Sequence, residues 1–160
     1  MFVMRHFAGP IVERISTVGL LIFSVVSAAV GLYGLSLANS PILAFLAATI
    51  WGVGVCYLYP TMLGSVADRY PSGGAFFLGI MGFAGGMETQ FLLPIMGQVF
   101  DEAKLDAAGG VEAFKNLSGP ELAEVIRAAS VESFQFVAFI PVLLVPIFIL
   151  IWLFERRQAH

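Results

Sequence analysis

The chain has 160 residues, 59% of them hydrophobic and only 12% charged, where a soluble domain carries about a quarter. A net charge of −3 with no basic stripe argues against nucleic-acid binding. A single cysteine, Cys56, excludes an internal disulfide, and two histidines at opposite ends, His6 and His160, offer no metal-ligand spacing. Mean hydropathy is +0.91, the profile of an integral membrane protein. The expected fold class is all-α: a polytopic membrane helical bundle of four full transmembrane helices, with a partial one at the N-terminus, in a single membrane domain.

Residues 1–16 open with an apolar scrap, Phe2–Met4, read as the end of a helix, and continue as a polar loop holding Arg5, Glu13 and Arg14. The apolar run that follows is longer than the h-region of a secretory signal, so it reads as a mature span. That first span, 17–38, carries no charge and is long enough to cross a ~30 Å hydrocarbon core. Ser24, Ser27, Ala28, Gly31 and Gly34 recur on one side of it, the small-residue pattern that lets helices approach closely in lipid. Asn39-Ser40-Pro41 is a turn, with Pro41 suited to the first turn of a helix.

The second span, 42–67, has a small-residue stripe at Ala44, Ala48, Gly52 and Cys56. Gly54, Tyr57, Thr61 and Gly64 lie on the opposite side, and Pro60 is expected to kink the helix. A charged turn, 68–73, leads to the third span, 74–100. There Gly79, Gly82, Gly86 and Gln90 share a face expected to pack against another helix of the same bundle. Glu88 projects from the other side with Phe91, Leu92 and Ile95 near it. Residues 101–130 form a hydrophilic insert. Its Ser118-Gly119-Pro120-Glu121 has the form of a capping box before a short amphipathic helix, expected over about 120–129. Asn116-Leu117-Ser118 also matches an N-glycosylation acceptor, a three-residue pattern of low specificity. The fourth span, 131–154, is almost wholly apolar, with Pro141 and Pro146 inside it.

Four spans place the two ends on one side. Arg5, Arg14, Arg69, Arg156 and Arg157 share that side, against Lys104, Lys115 and Arg127 on the other, so the ends are expected to be cytoplasmic and the insert extracytoplasmic. The expected location is the plasma (inner) membrane.

A carboxylate at membrane depth costs at least ~2.5 kcal/mol on insertion scales and marks a functional site by default. Glu88 is therefore the first candidate for a proton or substrate pathway, ahead of a structural role between helices. Tyr57 and Thr61 offer hydroxyls and a ring to a solute, and Trp51 an oblique ring. No nucleophile–base pair and no metal constellation is present, so an enzyme is not expected and no cofactor is called for.

Gly9-Pro10-Ile11-Val12-Glu13-Arg14-Ile15-Ser16 resembles the cytoplasmic loop motif of the major facilitator superfamily, Gly-x-x-x-Asp-Arg-x-Gly followed by basic residues. Gly9, Glu13 and Arg14 match in kind, while Ser16 stands at the second glycine and Thr17-Val18 at the basic pair. The helix with Tyr59-Pro60-Thr61, then Asp68-Arg69-x-Pro71, then the glycine-rich helix ending Pro94-x-x-Gly97-x-x-x-Asp101, is similar to the last third of such a transporter. The resemblance implies the end of the eighth helix and the ninth to twelfth helices of a twelve-helix permease. The first and fourth spans would then face lipid, the second would line the cavity, and the third would sit where the two halves meet. Gly9, Glu13 and Arg14 would be gating-loop residues, the acid set at the start of a neighbouring helix.

The function expected is a secondary active transporter of a small polar solute such as a sugar, coupled to protons and working by alternating access. Its partners are the bilayer, the solute, protons and the remaining helices, and the 160 residues are expected to be inactive alone. The alternative is a complete small four-helix membrane protein that serves as an oligomeric scaffold or accessory subunit, with Glu88 as a contact between helices.

Overall fold

The computed structural model describes residues 16–158. It is an all-α bundle whose helices are α1 (Thr17–Ser36), α2 (Pro41–Arg69), α3 (Gly74–Ala108), α4 (Val111–Asn116) and α5 (Pro120–Gln158). α1, α2, α3 and α5 are each long and apolar enough to cross a membrane.

The starts and stops follow local chemistry. Ser16 and Ser40 cap α1 and α2, their hydroxyls accepting from the amides of Gly19 at 3.2 Å and Leu43 at 3.3 Å. Pro41 occupies the first turn, where its missing N–H costs nothing. A short 3₁₀ turn, Pro71–Gly73, joins α2 to α3. α3 ends at Gly109, whose φ of 79° is left-handed, while the amide of Gly110 reaches back to the carbonyl of Leu105 at 2.8 Å.

Two boundaries differ from the expectation. α3 does not stop near Phe100; its 35 residues run on to Ala108, roughly 50 Å at ~1.5 Å per residue, so its charged last turns extend past a ~30 Å core. The helix expected over 120–129 begins at Pro120 but continues as one 39-residue helix through the fourth span. No glycine or proline interrupts it before Pro141, and the hydroxyls of Ser130 and Ser133 turn back onto the carbonyls of Ile126 at 2.7 Å and Ala129 at 2.8 Å. Gly119, with φ 62°, supplies the first accepting carbonyl, to the amide of Ala123, so it stands at the cap position expected for Ser118.

α1 is the hub of the packing. It lies against α2 and α5, while α3 leans on α5 and touches α2 lightly. Of the most apolar stretch of each helix, 44% of α1 is buried and none of α3. α1 is thus the most enclosed of the four within the chain, while Phe23, Val26, Val30 and Tyr33 on its outer side stay exposed. α1 and α2 run antiparallel at very close range. A Cβ added at Gly34 would lie 3.1 Å from that of Ala47, one at Gly31 would lie 2.3 Å from the backbone nitrogen of Trp51, and one at Gly54 would lie 2.5 Å from the carbonyl oxygen of Ser24. The stripe of α1 is therefore used as expected, but α2 answers it with Ala47, Trp51 and Gly54. Gly52, in the stripe expected on α2, has nothing within 4 Å of where its Cβ would be.

Side-chain ties hold the two ends of the bundle. Arg127 of α5 donates to Asn39 in the α1–α2 turn at 3.2 Å. At the other end, Arg69 of α2 pairs with Glu155 of α5. The turn after α2 and the end of α5 thus share one end of the bundle.

Candidate functional site

Because α3 stands away from α1, a groove of about 530 Å³ opens where α1, α2, α3 and α5 converge. α1 contributes Ala28 and Leu32 to its wall, and α2 contributes Trp51, Val55 and Leu58. α3 brings Glu88, Phe91, Leu92 and Ile95, spaced to fall on one side of a helix. α5 brings Val137, Ile140, Pro141 and Leu144. Pro141 has no N–H, so the carbonyl of Val137 loses the donor that a regular helix would give it.

The groove is otherwise hydrocarbon. Among the described residues, Glu88 is the only charged one on its wall, and the Trp51 indole is the only side-chain N–H. Across the apolar stretches of all four spans, from Thr17 to Ala67, Gly74 to Phe100 and Ser133 to Phe154, Glu88 is also the only charged residue. A carboxylate so placed among apolar side chains is suited to a cationic partner.

Two of the expected pathway residues, Glu88 and Trp51, therefore meet in one groove from different helices. The other two do not join them. Tyr57 and Thr61 are buried, at 5% and 9% exposure, and neither lines the groove. The face of α2 that carries Gly54 is pressed against α1, so the side expected to meet solute is a packing side.

The faces of α3 are arranged differently from the expectation as well. Gly79, Gly82 and Gly86 have nothing within 4 Å of where a Cβ would stand, and Gln90 is exposed. The expected packing of this face within the chain is absent among the described residues, and the Glu88 face is the one turned toward the other helices. The contact of α3 with α2 is light, and a Cβ added at Gly85 would lie 3.9 Å from the Tyr59 ring. The motif residues Gly9, Glu13 and Arg14 lie outside the described residues.

The sequence reading missed the wall supplied by α1 and α5. Phe91, Leu92 and Ile95 were legible as helical neighbours of Glu88. Ala28 and Pro141 were visible only as a member of a small-residue stripe and as a helix proline, and only the packing brings them to Glu88.

No protein-family model, no curated protein and no solved structure matches the chain.

Proposed function

We propose that the chain is the last third of a secondary active transporter of the major facilitator type, a permease that moves a small solute by alternating access and couples it to protons through Glu88. The observation that carries this reading is the position of Glu88. Glu88, the only charged residue in the central apolar stretches of the spans, is exposed on α3 and lines a groove between four helices, a place where a proton or solute pathway would use a carboxylate. The hydroxyls that favoured a sugar, those of Tyr57 and Thr61, are not in that groove. The termini are proposed to be cytoplasmic, on the arginine count.

The remaining helices of the same transporter would complete the pathway. The test is uptake into proteoliposomes, with the complete protein and with the 160-residue chain compared across a panel of monosaccharides and quaternary ammonium ions. The complete protein should accumulate at least one solute under an imposed pH gradient and the 160-residue chain none. Uptake by the chain alone would overturn the proposal.

One observation favours a second reading, a four-helix oligomeric scaffold or accessory subunit. The face of α3 with Gly82, Gly86 and Gln90 is uncovered, and a polar amide at membrane depth gains from a neighbouring helix. A stable oligomer of the chain in detergent, with no further helices encoded upstream of Met1, would decide for it.

A further inference from the structure

The side chains of the Glu88 groove carry one charge, the carboxylate, and one N–H, the Trp51 indole, among apolar groups, and this restricts what the groove suits. Resting on the transporter reading above, we propose that its ligand is a hydrophobic organic monocation, an ammonium or phosphonium centre carried on an apolar body, and not a polyhydroxyl solute.

A sugar presents several hydroxyls, each needing a partner once water is removed. The side chains of this wall offer one carboxylate and one indole N–H, set among apolar groups. An anion would be repelled by Glu88, and no Lys or Arg among the described residues lines the wall to offset it. A neutral apolar molecule would fill the groove but leave the carboxylate facing hydrocarbon. A single positive centre answers Glu88, while Trp51 and Phe91 add aromatic faces that attract cations. The aliphatic remainder of the wall then suits the apolar body. A volume of about 530 Å³ lies in the usual range for small-molecule pockets.

The experiment is equilibrium binding of radiolabelled tetraphenylphosphonium to the complete protein in lipid nanodiscs. Saturable binding is expected, displaced by tetrabutylammonium and not by glucose or the neutral triphenylmethanol. Glu88→Gln should weaken it by at least about tenfold and Phe91→Leu by roughly threefold, with partial recovery in Glu88→Asp. Glu132→Gln, on α5 and outside the groove, should bind as the wild type does. If Glu88→Gln fails to fold, judged by size-exclusion profile, Glu88→Asp and Phe91→Leu carry the comparison. Unchanged affinity in the folded Glu88 and Phe91 variants, displacement by glucose, or no saturable binding would overturn the inference. Proton-coupled uptake of a sugar without phosphonium binding would overturn it and leave the transporter standing. Phosphonium binding that depends on Glu88, with no transport of any solute, would support the site and remove the transporter.

Discussion

Gly54→Ala tests the α1–α2 contact most sharply, because the neighbouring Gly52→Ala serves as its control. The Cβ added at Gly54 would lie 2.5 Å from the carbonyl oxygen of Ser24 and 2.6 Å from the amide nitrogen of Ala28. Ordinary contact begins near 3.4 Å, so the shortfall is about 0.9 Å. Both obstructing atoms belong to the backbone of α1, and no rotamer change relieves the clash. The helices must part, and a gap of ~0.5–1 Å already forfeits a quarter to a half of each dispersion contact. In lipid those contacts carry most of the association. Overpacking of this kind costs about 1–3 kcal/mol. Both substitutions gain the same alanine helix propensity, so their difference isolates the steric effect. Gly52 has nothing within 4 Å. Reversible unfolding by SDS in bicelles, followed by circular dichroism, should therefore show Gly54→Ala less stable than Gly52→Ala by about 1–3 kcal/mol. Equal stabilities, or the reverse order that the Ala44–Ala48–Gly52–Cys56 stripe implies, would refute the assigned packing face.

Three further outcomes follow from the same geometry. Gly82→Ala and Gly86→Ala meet open space and should leave the unfolding of the chain within about 0.5 kcal/mol of wild type; a larger loss would mean that the chain covers this face itself. Gly109→Ala places a side chain at a φ of 79° and should cost about 1 kcal/mol in the same assay, where no change would show that α3 ends differently. Lys104 pairs with Asp101 at 2.7 Å and sits over the rings of Phe100 and Phe114, at 5.5 and 5.1 Å. Lys104→Met should speed amide exchange across α4 without moving global unfolding, and unchanged exchange would show that this cation does not tether α4.

How much was legible in the sequence depended on whether a feature was local or shared between helices. The four spans, the turn at 39–41 with Pro41 in the first turn of α2, and the start of α5 at Pro120 follow from residues within a few positions of each other. The small-residue stripe of α1 was also legible, since Ser24, Ala28, Gly31 and Gly34 repeat at helical spacing. The matching face of α2 was not. That helix has small residues on two sides, and periodicity alone does not say which one meets α1. The choice of side then determined everything assigned to the other. With Gly54 turned to α1, Tyr57 and Thr61 became buried residues and Trp51 remained on the groove. The same ambiguity affected α3, where glycines were read as a packing face although the chain leaves them uncovered. Glu88 stood out in the sequence as an isolated charge in an apolar run, but its surroundings from α1 and α5 required the bundle. The extension of α5 was hidden by the polarity of residues 118–134, which marks the end of a membrane span without marking the end of a helix.

The central claim is that Glu88 couples proton movement to solute in the groove. Proteoliposomes of the complete protein, loaded with a pH-reporting dye and given each monosaccharide or quaternary ammonium ion in turn, test it most directly. Wild type and Glu132→Gln should change internal pH when at least one solute is added, and a folded Glu88→Gln should not respond to that solute. A Glu88→Gln response equal to the wild type would contradict the account.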